Sequence, residues 1–260
     1  MKKVLIYTDC FYFSGCENML PVLLKHQNLN DHFDISLSYR HSTKYESGLR
    51  GKLDFRQHKI YPLKLSGFAA GNSLIDKVKR RLSSAFELPL MLYDLKVLVS
   101  HFQTLRPEVI LINNGGYPGA RTCRSAVIAA RIAKIRHVYF YVNNIAEPYD
   151  RLARYLQFPV DCIITRGVTK FATASEYARQ KLLETLRLRP DDVLCIRNAF
   201  DGRSVQTLRQ DVRRQYLKDQ HSLLIGCVGE FAGNKGQQYL LEAIETLCRK
   251  YKAGTFKLIL

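Results

Sequence analysis

Apolar positions along this 260-residue chain alternate between two patterns. Short apolar runs occupy residues 4–7, 33–38, 59–63, 109–112, 137–142, 162–165, 193–197 and 223–228, and a last run begins at 256. Each is the length of a strand buried on both faces. Between them the apolar residues recur at three- and four-residue steps, the spacing of one helix face. The steps predict helices over 14–26, 74–86, 90–105, 120–134, 149–158 and 204–219, and a last one carrying Leu240, Ala243, Ile244 and Leu247. Residues 39–56 are mostly polar and read as loop. Strand–helix alternation from end to end predicts an α/β fold with mostly parallel sheets.

Local signals sharpen several boundaries. Ser14 and Glu17 have the spacing of a capping box. Pro89 suits a first helical turn, and Arg106-Pro107 ends the helix before the run at 109. Ser175 is placed to cap a helix that follows the strand at Phe171. The alanine-rich helix over 120–134 carries Arg121, Arg124 and Arg131 near one side, which read as a solvated face. In the segment 74–86, Leu74, Ile75, Val78, Leu82 and Phe86 share a face that Lys77, Lys79, Arg80 and Arg81 largely avoid. That pattern fits a surface helix packed on its domain, and also a helix in contact with an anionic membrane.

Composition narrows the class. Forty Lys+Arg against 23 Asp+Glu leave a net charge of +17, with a pI of about 9.6. An anionic partner follows: a phosphorylated substrate, a membrane surface or a nucleic acid. No recognised nucleic-acid motif accompanies the charge, so nucleic acid is not the expected partner. The seven cysteines are scattered without a Cys-x-x-Cys pair, which predicts neither a disulfide framework nor a zinc site. No apolar stretch is long enough for a membrane span. The expected location is cytoplasmic, with a peripheral position on the membrane's inner face as the alternative.

Residues 223–247 concentrate the candidate chemistry. An apolar strand leads through Gly229, Lys235 and Gly236 into a helix. Backbone N–H groups, the positive helix end and a lysine converge there, an arrangement suited to a phosphate or diphosphate. The order of residues fits neither a P-loop nor the Gly-x-Gly-x-x-Gly fingerprint. A second loop, 113–119, follows the strand at 109–112. Its Asn114, Tyr117 and three glycines lie at the strand's C-terminal end, the edge where open α/β sheets bind ligands. Asn143 and Asn144 end the next strand, and a neutral amide cannot act as a general base.

These stretches together resemble the family 4 glycosyltransferases of the GT-B fold. Gly229, Lys235 and Gly236 match that family's V-G-R…K-G motif, with Glu230 at the position of its arginine. Gly15 and Glu17 match G-G-x-E. Arg106–Ile112 reads R-P-E-V-I-L-I, similar to R-P-D-V-V. Asn144 matches the second residue of His-Asn, and Ser175-Glu176 matches the S-E of I-A-x-S-E. Asn198 and Asp201 match I-P-N-G-x-D.

The resemblance implies two Rossmann-like domains, residues 1–197 on the acceptor side and 198–260 beginning the nucleotide-sugar-binding side. The second domain is expected to be incomplete, because the family's paired glutamates fall beyond Leu260. It implies a retaining glycosyltransferase in cell-surface polysaccharide or lipopolysaccharide-type biosynthesis, with a nucleotide-sugar donor and a glycan or lipid-linked acceptor. Gly15, Gly229, Lys235 and Gly236 are then expected at the donor. Asn114, Tyr117 and Asn144 are expected on the acceptor side, and Lys77, Lys79, Arg80 and Arg81 at a membrane. No metal or cofactor and no protein base are implied. The alternatives are an inactive remnant of this family or a basic, peripheral membrane-binding module.

Overall fold

The computed structural model of the chain describes residues 1–13, 15–66, 87–198, 209–217, 222–229, 231, 235–251 and 256–260. The basic segment with Lys77, Lys79, Arg80 and Arg81 lies outside them, as do Ser14, Asp201 and Glu230. The chain divides into two compact units, Met1–Asp201 and Gly202–Leu260.

The first unit is built on seven parallel strands: β1 (Lys2–Thr8), β2 (Phe33–Arg40), β3 (Lys59–Leu63), β4 (Val109–Asn114), β5 (His137–Val142), β6 (Lys170–Thr173) and β7 (Val193–Cys195). Their order in the sheet is β3-β2-β1-β4-β5-β6-β7. The direction of winding reverses between β1 and β4, so the helices cover both faces. Successive side chains of β1 show the consequence. Leu5 and Tyr7 enter one core, and Ile6 enters the other. With both faces dry, the strands need continuous apolar runs, which is why they were legible in the sequence.

On the Ile6 face lie α1 (Met19–Lys25), α2 (Gln27–His32) and α3 (Thr43–Arg50). Leu20 and Leu24 of α1 and Tyr45 and Leu49 of α3 fill that core. The opposite face carries α4 (Glu87–Leu105), α5 (Arg121–Ile132), α6 (Leu152–Tyr155), α7 (Phe158–Gly167) and α8 (Glu176–Leu186). Its core takes Phe102 from α4, Ala126, Val127 and Ala130 from α5, Ile164 from α7 and Leu182 from α8. The small residues of α5 let it lie close to the sheet.

Several expectations change. Residues 162–165 are part of α7, not a strand. A short apolar run is compatible with either state; here Asp161, Ile164 and Gly167 form the buried side, and the segment is the crossover from β5 to β6. The predicted helix over 149–158 shrinks to the single turn α6. Residues 39–56 contain α3, whose buried Tyr45 and Leu49 are one turn apart in an otherwise polar sequence. Of the three arginines of α5 read as a solvated face, only Arg131 is exposed. Arg124 is buried, Arg121 donates to the buried Asp94 at 3.1 Å, and Arg131 donates to the Gly167 carbonyl at 2.6 Å. Ser175 does cap α8, accepting from the Ala178 N–H at 3.2 Å.

The second unit contains α9 (Arg209–Tyr216), β8 (Leu223–Gly226), α10 (Gln237–Lys250) and β9 (Phe256–Ile259). β8 and β9 form a two-stranded parallel sheet. The strand read as buried is half-exposed instead.

Between β5 and β6 the fold depends on one buried carboxylate. Asp161 accepts from the Tyr117 hydroxyl at 2.8 Å, the Tyr149 hydroxyl at 2.6 Å and the Arg154 guanidinium at 2.5 Å. Asp161→Ala strips all three donors of their acceptor and leaves Arg154 as a buried, unpaired cation. A loss of about 3–5 kcal/mol is expected in urea denaturation.

Candidate functional site at the sheet reversal

The C-terminal ends of β1, β2, β4 and β5 converge where the winding reverses, and each ends in polar residues. Thr8 and Asp9 close β1, Arg40 closes β2, Asn113 and Asn114 close β4, and Asn143 follows β5. The turn Gly15–Asn18 carries Glu17 into the same place.

Glu17 is buried beneath this edge. Its carboxylate accepts from the Thr8 hydroxyl at 3.1 Å, the Tyr45 hydroxyl at 2.6 Å and the Asn113 amide at 3.1 Å. It therefore ties β1, α3 and β4 together; the capping box read from Ser14 and Glu17 lies outside the described residues. None of the three donors is a cation. Burial raises the Glu17 pKa above 4.5, against the opposing hydrogen bonds from Tyr45, Cys10 and Thr8. Burial and the neighbouring Glu17 carboxyl also push the Cys10 thiol well above its ordinary range.

Asp9 is the second buried carboxylate. Arg40 grips it with two guanidinium nitrogens, Nη2 donating at 3.0 Å, and the Thr122 hydroxyl donates to it as well. Tyr7 donates in turn to Thr122 at 2.9 Å. The remaining Arg40 nitrogen donates to the Leu65 carbonyl at 3.1 Å and to the Ser66 carbonyl. Over its outer side the guanidinium lies 4.9 Å from the centroid of Phe11. Both carboxylates at this edge are thus occupied by partners within the chain, and neither is arranged to abstract a proton.

The loop after β4 is shaped by Asn114. Its Nδ2 donates to the Pro118 carbonyl at 3.2 Å, and its Oδ1 accepts from the Ala120 N–H at 3.1 Å. Gly119 makes room for that side chain. It sits at φ +59°, and a Cβ there would come within 2.4 Å of the Asn114 amide. Asn143 crosses from β5, donating to Asn113 Oδ1 at 2.7 Å and to the Asn114 carbonyl at 3.0 Å.

The residues singled out in the sequence divide sharply. Asn114 and Tyr117, expected on the acceptor side, turn inward. Asn114 is committed to its own loop, and Tyr117 is buried with its hydroxyl on Asp161. Asn144 is exposed, and its Oδ1 accepts from the next N–H. Gly15 opens the turn before Glu17, with no atom within 4 Å of where a Cβ would stand. Gly229, Lys235 and Gly236 lie in the second unit, with Lys235 exposed just before α10. Gly236 is the N-cap of α10 at φ +77°, a conformation that favours glycine. Sequence reasoning passed over Asp9, Arg40 and Thr122. They share no spacing; the parallel register of β1 and β2 brings Asp9 and Arg40 together, and the packing of α5 adds Thr122.

No protein-family model matches the sequence, and no curated protein matches it. Solved structures do. Ninety-five per cent of the chain aligns with 58% of Anabaena Alr3699/HepE in complex with UDP, with a TM-score of 0.64 at 16% identity. Ninety-nine per cent aligns with 65% of the UDP-GlcNAc 2-epimerase from Neisseria meningitidis bound to UDP-GlcNAc, with a TM-score of 0.55 at 18% identity. The same share aligns with 62% of S. aureus MnaA in its UDP co-structure, with a TM-score of 0.51 at 13% identity. The chain spans about three-fifths of the length of these proteins. The likeness defines the class of fold: α/β, GT-B-like, with a seven-stranded parallel sheet.

Glu17 gives this edge a pH signature. Its raised folded pKa means the ionised form is disfavoured in the fold. Its contribution to stability is therefore fully present below the unfolded value, near 4.5, and is lost as pH rises through the folded pKa. Glu17→Gln removes that loss. The melting temperature of the variant, relative to wild type, is expected to climb between about pH 4 and pH 7. A scan of both proteins by differential scanning calorimetry checks it.

Proposed function

We propose that this chain belongs to an enzyme acting on a nucleotide-activated sugar, and that the reaction is glycosyl transfer of the family 4 type. The observation that carries the reading is the start of α10. Strand β8 runs through Gly229 and the exposed Lys235 to a helix that begins at Gly236 in a left-handed turn. A helix N-terminus and an exposed ammonium group follow each other in the chain there, a combination suited to a diphosphate. The fold likeness to proteins holding UDP or UDP-GlcNAc supports the same donor chemistry.

In this reading residues 198–260 supply donor contacts and residues 1–197 form the acceptor side. Gly15 is assigned to the donor by its motif match alone, and the exposed Asn144 to a glycan or lipid-linked acceptor. The order of the short motifs, from Gly15 and Glu17 to Asn198, supports glycosyl transfer over other uses of the fold. Epimerisation is the second reading, because the Neisseria protein is a UDP-GlcNAc 2-epimerase. The structural roles of Asp9 and Glu17 count against it, since moving a proton on and off a sugar carbon calls for available acids and bases.

Calorimetric titration with UDP tests the donor loop. Lys235→Ala is expected to weaken binding roughly tenfold or more, the scale of a lost charge-assisted hydrogen bond. Glu230→Arg is expected to tighten it. Absence of UDP binding, or equal affinity in wild type and Lys235→Ala, overturns the reading. NMR of UDP-sugars incubated with the protein separates the two chemistries: released UDP with a new glycoside marks transfer, and an inverted sugar carbon marks epimerisation.

A further inference from the structure

The segment joining β5 to β6 is inside-out. Leu152, Tyr155, Leu156, Pro159 and Ile163 recur at helical spacing on the solvent side, with Leu152 78% and Leu156 72% exposed. Arg154 of α6 and Asp161 of α7 point the other way, 4% and 2% exposed, and Arg166 near the end of α7 is the exposed charge. A helix pair on an ordinary wet surface shows the reverse pattern. Single exposed leucines need no explanation, but a row of them does.

The neighbouring helices extend the pattern. α4, α5 and α7 pack side by side in that order on one face of the sheet. Leu92, Leu95 and Val99 of α4 and Ile132 of α5 line a shallow groove between them. Across residues 89–105, 121–132 and 158–167 no carboxylate is exposed. The two that occur there, Asp94 and Asp161, are buried in ion pairs with Arg121 and Arg154. The exposed ionic side chains of these stretches are Lys96, Arg131 and Arg166, all positive. This is not a property of the whole surface, since α8 exposes Glu176 and Glu184, and α2 exposes Asp31. The exposed carboxylates that precede α6, Glu147 and Asp150, both pair with Arg151.

An apolar face without acidic groups, carrying cations on a chain of net charge +17, complements an anionic lipid surface. Aliphatic side chains enter the headgroup boundary, and Lys and Arg reach phosphates with their stems half-buried. We propose that the outer face of α4, α5 and α7, with α6, docks this protein on an anionic bilayer. The attachment is peripheral: no helix among the described residues is long and apolar enough to cross a membrane. The inference does not depend on the donor loop, and vesicle binding can succeed or fail independently of UDP binding.

Co-sedimentation of the full chain with phosphatidylcholine vesicles, with and without phosphatidylglycerol, tests it at physiological salt. Binding is expected to the anionic vesicles and to be weak without phosphatidylglycerol. Lys96→Glu/Arg166→Glu is expected to lower it at least about tenfold, from roughly fivefold per interfacial cation. Leu152→Ser/Leu156→Ser is expected to lower it as well. Lys25→Glu/Lys52→Glu changes the net charge equally but lies on the opposite helical layer, and is expected to keep most of the binding. Circular dichroism melts of the four proteins verify that the exposed substitutions leave the fold intact. Failure of wild type to sediment with anionic vesicles overturns the proposal, as does an equal loss in the two charge variants. A dimer seen by analytical ultracentrifugation, dissociated by Leu152→Ser/Leu156→Ser in a protein that ignores vesicles, assigns the face to a second copy and overturns it too.

Discussion

A carboxylate removed from water at the point where the sheet reverses direction organises this fold. Glu17 has no cation beside it among its hydrogen-bond partners. It is held by two hydroxyls and an amide that arrive from β1, α3 and β4. Withdrawal of any one donor leaves the charge less compensated in a low-dielectric site, so the three elements are energetically coupled. The neighbouring Asp9 binds the end of β2 to β1 through Arg40, and to α5 through Thr122. Two carboxylates thus fix the lip of the crevice in which an open α/β sheet takes its ligands.

This arrangement assigns the polar groups at the edge to positioning and leaves chemistry to a ligand or to other parts of the protein. The asparagine ladder from Asn143 to Asn113 continues the same logic across β4 and β5. What faces outward is backbone around Gly15 and the exposed Asn144. In the second unit, Lys235 is exposed and Gly236 opens α10 in a left-handed conformation.

The two helical layers over the sheet are also unlike. The layer of α1, α2 and α3 presents a mixed surface, with Asp31 exposed and Glu46 half-buried. On the other layer Asp94 of α4 and Asp161 of α7 turn inward to arginines, while Leu92, Ile132 and Ile163 are exposed. Burying an ion pair is seldom stabilising in itself. Here Asp161 also anchors Tyr117 and Tyr149, which couples the loop after β4 to the segment before α6.

The sequence alone located most of the strands, because a strand covered on both faces is largely apolar and such runs stand out. It also determined the parallel α/β class and the cap at Ser175, since a hydroxyl at a helix start acts locally. It did not determine residues 162–165, where a short apolar run serves a helix or a strand equally well. Nor did it reveal that Arg121 and Arg124 turn inward, or that Tyr117 is a buried anchor. Those outcomes hinge on partners distant in the chain, Asp94 for Arg121 and Asp161 for Tyr117, which only the packing of helices on the sheet brings near. The pairing of Asp9 with Arg40 and the three donors that hold Glu17 were hidden for the same reason. Charge and hydrogen bonding act through space, and the register of parallel strands is set by the whole sheet.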